Sequence, residues 1–125
     1  MPEGVFAGRR VDKPWGYELI WGHTARYVGK ILHVEAGHAL SLQYHEVKDE
    51  TMYLLSGELQ IELGDHEDDL EVHDLKPGQS VHLKPGRRHR LTARTTSDVL
   101  EVSTPELDDV VRLGDRYGRT GTKAP

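Results

Sequence analysis

Gly37-His-Ala-Leu-Ser-Leu-Gln43-Tyr-His45-Glu-Val-Lys48-Asp-Glu50-Thr-Met-Tyr-Leu-Leu-Ser-Gly57 is the stretch on which the rest of the chain turns. Gln43 and His45 stand two residues apart, so an extended backbone projects both from one face. Glu46 to Asp49 has the length of a hairpin loop. Such a loop sets Glu50 across from His45, with Cβ atoms roughly 5 Å apart. Three side chains able to bind a metal are thereby expected on one face of one hairpin.

Outward from this stretch, 125 residues suit one domain with a single core. Hydrophobic residues make up 36% and charged residues 30%, the balance of a soluble globular chain. A formal charge of −5 gives no electrostatic reason to expect nucleic acid. The absence of cysteine excludes disulfides, thiolate ligands and a cysteine nucleophile. The first ten residues hold no apolar run of signal-peptide type, and no stretch has the length to span a bilayer, so no membrane partner is expected and a cytoplasmic location is the default.

Residues 1–13 read as an N-terminal arm, with Pro2, Gly4, Gly8 and Arg9-Arg10 arguing against a core element. Strand patterns follow at Tyr17 to Trp21 and Tyr27 to Val34, the second placing Lys30, Leu32 and Val34 on one face. Glu58 to Leu63 alternates, and Leu70 to Leu75 returns across the polar tip Gly64 to Asp69. His89 to Arg94 and Val99 to Thr104 are expected to pair across residues 95–98. Beyond Pro105 the periodicity lapses, a short helical turn is expected, and residues 120–125 read as a disordered tail. Roughly nine or ten short strands with regular turn signals, and no amphipathic helix of ordinary length, predict an all-β sandwich or barrel over residues 14–119.

The spacing of Gly37, Gln43, His45, Glu50 and Gly57 resembles the first signature of the cupin superfamily, with Gln43 where most members have histidine. Gly78 followed by Gly86-Arg-Arg-His89 resembles the second. Lys13-Pro-Trp-Gly16, Leu42-Gln-Tyr-His45, His89-Arg-Leu91 and Asp109 to Gly118 are similar to the C-terminal cupin domain of type II mannose-6-phosphate isomerases, a group in which glutamine at the first ligand position is common. Lys48 and Thr51-Met52 stand where that group tends to have arginine and a histidine-tryptophan pair.

The resemblance implies a jelly-roll barrel that brings His89 to Gln43, His45 and Glu50. Two imidazoles, a carboxylate and an amide oxygen suit one divalent transition metal, Fe, Mn, Ni, Co or Zn. A sugar or sugar-phosphate isomerase is the first activity it implies, with Glu101 or Lys48 moving the proton. Lys30, core-facing by alternation, needs a partner or an anionic ligand. Arg88, Arg90 and Arg112 are further candidates to hold phosphate, with Arg116 beside them. A metal-dependent oxygenase or other small-molecule enzyme, and a non-catalytic sugar-binding or sensing cupin, are the alternatives. The resemblance also implies a homodimer, with Trp15, Trp21 and the Arg9-Arg10 arm as the pieces to pair.

Overall fold

Short alternating segments, each ended by a turn, build twelve strands in the computed structural model, which describes residues 1–119 and the backbone of Gly121–Thr122. The strands are β1 (Arg9–Lys13), β2 (Gly16–His23), β3 (Val28–Val34), β4 (Leu42–Tyr44), β5 (Glu50–Ser56), β6 (Leu59–Gly64), β7 (Glu71–Leu75), β8 (Ser80–Leu83), β9 (Arg88–Ala93), β10 (Ser97–Ser103), β11 (Val111–Gly114) and β12 (Gly121–Thr122). They form two antiparallel sheets of six strands, ordered β1-β2-β3-β10-β5-β8 and β12-β11-β4-β9-β6-β7. The all-β jelly-roll expectation holds, and the described residues contain no helix.

The core lies between the sheets. Leu32, Met52, Leu54 and Val99 come from the first, and Leu59, Ile61, Leu91 and Ala93 from the second. Each of these side chains is almost wholly removed from water. Full burial of a Leu or Ile is worth roughly 1.5–3 kcal/mol, so this interior is the main term holding the sheets together. The glycines of the turns at Gly37 and Gly78 adopt φ of 82° and 92°, the left-handed region that a side chain disfavours.

Two expected hairpins are instead crossings between sheets. β4 belongs to the second sheet and β5 to the first, so Glu46 to Asp49 carries the chain across the sandwich. Likewise β9 pairs with β4 and β6, whereas β10 pairs with β3 and β5. A tight hairpin and a tight crossing need the same few residues, so loop length alone does not separate them. The hairpin of β6 with β7 forms as expected, Leu59 opposite Leu75.

The termini differ too. The last five residues of the expected arm form β1, in register with β2 from Arg9 opposite Ile20 to Lys13 opposite Gly16. Where a helical turn was expected, Val111–Gly114 pairs with β4 as a strand. The tail expected over 120–125 lies outside the described residues, apart from the backbone of β12.

Candidate metal centre

Both sheets and one crossing supply the centre. In the second sheet Arg112, Gln43, His89 and Leu63 are consecutive cross-strand partners, so these side chains share its inner face. In the first sheet Glu50 opens β5 on the inner face, opposite Ser103. His45 follows β4 on the crossing. Its Nε2 lies 3.2 Å from Glu50 Oε1, and His89 Nε2 lies 3.4 Å from the same oxygen. All three residues are buried, and one donor atom from each falls within 4.8 Å of the others.

The second nitrogens fix how the imidazoles face. His45 Nδ1 donates to the Asp109 carbonyl at 2.5 Å, and His89 Nδ1 donates to the Arg87 carbonyl at 3.0 Å. A carbonyl only accepts, so both Nδ1 carry protons and both Nε2 atoms are turned toward Glu50. Burial pushes His89 down to about 4, against the opposing pull of Glu50, so its ring is neutral at pH 7. Burial alone raises Glu50, but Lys48, with help from both histidines, holds its carboxyl well below the usual range. Two imidazole nitrogens and a carboxylate oxygen therefore converge on one point, a donor set that suits a divalent cation.

Gln43 is the fourth expected donor. Its Oε1 accepts from Ser41 Oγ at 2.9 Å, while Nε2 lies 3.4 Å from His89 Nε2. Half a turn of the amide presents the oxygen to the same point, and amide orientation follows the hydrogen-bond network.

A chain of buried charges leads away from the centre. Lys48 Nζ lies 3.0 Å from Glu50 Oε2 and 3.3 Å from Glu101 Oε2. Lys30 Nζ lies 3.7 Å from Glu101 Oε2 and 3.3 Å from Glu18 Oε1. Lys30, Glu101 and Met52 stand side by side across β3, β10 and β5, so Glu101 shares the inward face expected for Lys30. Burial and the Glu50 charge raise Glu101 above the ordinary carboxylate value, against both lysines. For Lys48, burial lowers, but Glu101 and Glu50 outweigh it and hold the ammonium protonated.

These groups open onto a cavity whose wall carries Gln43, His45, Lys48, Glu101, Lys30 and Glu18. Lys13, Arg112 and Arg119 complete its polar lining, with Trp15, Leu107 and Val110 as apolar wall. Burial, and the nearby Lys30, Arg112 and Arg119, lower Lys13 to about 8 despite Glu18. Asp115 accepts from the Arg119 backbone at 2.8 Å and from its side chain at 3.1 Å, setting that residue at the wall.

Arg88 and Arg90 do not reach the cavity. On β9 they flank His89, and alternation turns them to the outer face. Arg88 stacks over Tyr44 at 3.9 Å, and Arg90 pairs with Glu62 at 2.7 Å. Arg116 donates to the Gly37 carbonyl at 2.8 Å instead. Glu18, Lys13, Arg119 and Asp109 were passed over in the sequence. Glu18 had a signal in its parity with Ile20 on β2, and Lys13 and Asp109 each open a stretch that carries the family resemblance.

Known proteins similar to this chain bear on its family and its fold. Residues 30–104 match the cupin domain family. Xanthan biosynthesis protein XanB of Xanthomonas campestris pv. campestris (strain B100) is 35% identical over 118 residues, covering 90% of this chain and 24% of that protein. Mannose-1-phosphate guanylyltransferase of Escherichia coli (strain K12) is 33% identical over 117 residues, covering 89% of this chain and 23% of that protein. The chain thus spans about a quarter of the length of these relatives. Among solved structures, KdgF from Halomonas sp. superposes with a TM-score of 0.66 at 22% identity, over 78% of this chain and 87% of that one. Oxalate decarboxylase from Bacillus subtilis superposes at 0.74 with 14% identity, over 89% of this chain and 33% of that one. At these identities the superpositions bear on the fold alone.

Proposed function

The chain belongs to the cupin family, and from that membership and the charges around its centre we propose that it is a divalent-metal-dependent isomerase of a small anionic sugar, a sugar phosphate by first preference. The observation that carries this reading is the sign of the cavity wall. Lys13, Lys30, Lys48, Arg112 and Arg119 outnumber the carboxylates Glu18 and Glu101 on it. Fixed cations beside a metal favour a ligand with two negative charges, and guanidinium matches phosphate oxygens in geometry. The mannose 1-phosphate in a relative's name supports the same ligand class.

His45, Glu50 and His89, with Gln43, are the residues to hold the metal, which supplies a Lewis acid for a carbonyl oxygen when bound. Lys13, Arg112 and Arg119 hold the anionic end at the wall. Glu101, raised by burial, is the group to take a proton from the carbon beside the carbonyl and return it to the neighbouring carbon. Lys48, kept cationic by Glu50 and Glu101, orients that carboxylate rather than serving as the base. Leu32, Leu40 and Met52 exclude water from one side of the cavity.

The test is hydrogen exchange. Aldose and ketose phosphates incubated with metal-loaded protein in deuterium oxide are expected to gain deuterium at the carbon beside the carbonyl, and Glu101→Gln is expected to abolish the gain. No exchange across the panel, with ligand binding intact, would refute the isomerase reading.

A further inference from the structure

Glu18 ends the row of buried charges that begins at Glu50 and runs through Lys48, Glu101 and Lys30. β2 sets it on the inner face of the first sheet, opposite Leu32, and its side chain is 8% exposed. Its Oε1 meets the Lys30 ammonium at 3.3 Å, whereas its Oε2 is closed off from bulk water and has no hydrogen-bond partner among the described residues. A buried acceptor left unpaired costs about 1–3 kcal/mol, so such an atom in a cavity wall marks a contact for a ligand to complete. We propose that Glu18 is a specificity-determining residue of the cavity, its free oxygen accepting a hydrogen bond from a hydroxyl that the ligand carries near its anionic group. That role rests on the cavity's being a site for an anionic sugar, and it adds the residue that tells a hydroxylated anion from a bare one.

The other shielded carboxylate oxygens sharpen the contrast. Oε2 of Glu50 and of Glu106 also lack hydrogen bonds among the described residues. Glu50 Oε2 faces the Lys48 ammonium at 3.0 Å, however, and the cavity wall does not include Glu106. Glu18 is on that wall, and Lys30 meets it through the opposite oxygen. The last torsion of a glutamate side chain is broad, so a small turn of the carboxylate presents Oε2 to the cavity.

Charge selects the kind of donor. A carboxylate only accepts, so the ligand has to bring an O–H or an N–H. Beyond the effect of burial, Lys30, Arg112 and Arg119 stand near enough to Lys13 to lower it further, and Glu18 near enough to oppose them. An ammonium entering beside Glu18 would meet these cations and be repelled, whereas a hydroxyl donates without adding charge. The same cations draw an anion toward Glu18, whose carboxylate repels any anion that has no proton to offer it. Discrimination of this kind combines an attractive contact for one ligand with a repulsive one for its competitor. A site built to bond a hydroxyl also rejects the analogue that lacks it, because the acceptor is then left unpaired.

Titration calorimetry on the whole protein tests this with sorbitol 6-phosphate and hexyl phosphate, which share a chain length and a phosphate and differ in their hydroxyls. Wild type is expected to prefer sorbitol 6-phosphate. Glu18→Met removes the acceptor and is expected to reduce that preference by roughly 10–100-fold, the worth of a hydrogen bond to a charged group, and Glu18→Gln, a neutral acceptor, by less. Thermal melts verify that each variant is folded. A change in cavity charge alone would move both phosphates together, so an unaltered ratio in the folded variants overturns the proposal. A wild type that binds the two phosphates equally, or favours hexyl phosphate, overturns it without any variant. Tighter binding of 6-aminohexyl phosphate than of sorbitol 6-phosphate would make the donor an ammonium and overturn it too. A wild type that binds none of these phosphates refutes the anionic-ligand reading itself, and the role of Glu18 with it.

Discussion

Asp109 holds His45 from outside both sheets. Its carbonyl accepts from His45 Nδ1, while its carboxylate accepts the backbone N–H groups of Glu46, Val47 and Lys48 at 2.9, 2.7 and 2.8 Å. One residue of the C-terminal segment thus fixes both the crossing loop and the ring borne at its start. Val110 and Arg112, its near neighbours, line the cavity, so ligand wall and metal ligand share one support.

Asp109→Ala keeps the backbone carbonyl that accepts from His45 and removes only the carboxylate that holds the crossing loop, so it is expected to weaken metal binding by less than the roughly 10–100-fold that follows outright loss of an orienting partner. It is also expected to cost about 1–3 kcal/mol of stability, from three backbone donors left without their carboxylate. Calorimetric metal titration and urea unfolding check the two effects. Those N–H bonds, against the opposing effect of burial, hold the Asp109 carboxyl below its ordinary value. The folded pKa is depressed, so the contribution is complete above the unfolded aspartate value and fades as pH falls through the folded one.

Lys13 is expected to make the proposed anion binding pH-dependent. With its pKa lowered to about 8, it is charged below that value and neutral above. Affinity for a sugar phosphate is expected to fall as pH rises through about 8, and Lys13→Met to flatten that limb. An affinity unchanged between pH 7 and 9.5 would remove Lys13 from the ligand's reach.

Lys48→Met leaves Glu50 and Glu101 buried with half their compensation gone. Removing one member of a buried ion pair costs about 3–5 kcal/mol. A loss of that order is expected in chelated protein, measured by denaturant unfolding at pH 7. Lys48 is raised in the folded state, so its contribution is whole below the ordinary lysine value and declines only as pH climbs through the folded one.

His89 gives the metal-free protein an acid limb. Its folded pKa of about 4 lies below the ordinary 6.5, so the unfolded chain binds more protons between these values. Stability is expected to drop as pH falls from about 6.5 to about 4, by on the order of 3 kcal/mol at ~1.4 kcal/mol per pKa unit. Thermal melts in chelator should show the slope in wild type and lose most of it in His89→Gln.

Much of the centre was legible because it depends on strand parity and spacing. The spacing of Gln43, His45 and Glu50 marks them as a group, although the hairpin expected to carry them is a crossing between sheets, and Lys30 follows from alternation with Leu32 and Val34. The same rule applied to β9 separates Arg88 and Arg90 from His89. Sheet membership was not legible at the 46–49 loop, since a crossing and a hairpin use equally few residues. Lys13, Arg119 and Asp109 act through tertiary contacts of terminal segments, so no strand parity marks their roles, although Lys13 and Asp109 open stretches that carry the family resemblance.

The central claim is that His45, Glu50 and His89 hold a divalent metal. Elemental analysis of the purified protein, with His45→Ala and His89→Ala purified alongside, tests it most directly. About one divalent ion per chain in wild type, and less than a tenth of that in both folded variants, is the expected result. Wild type carrying no more metal than the variants, and taking none up when dialysed against Mn, Fe, Co, Ni or Zn, would contradict it.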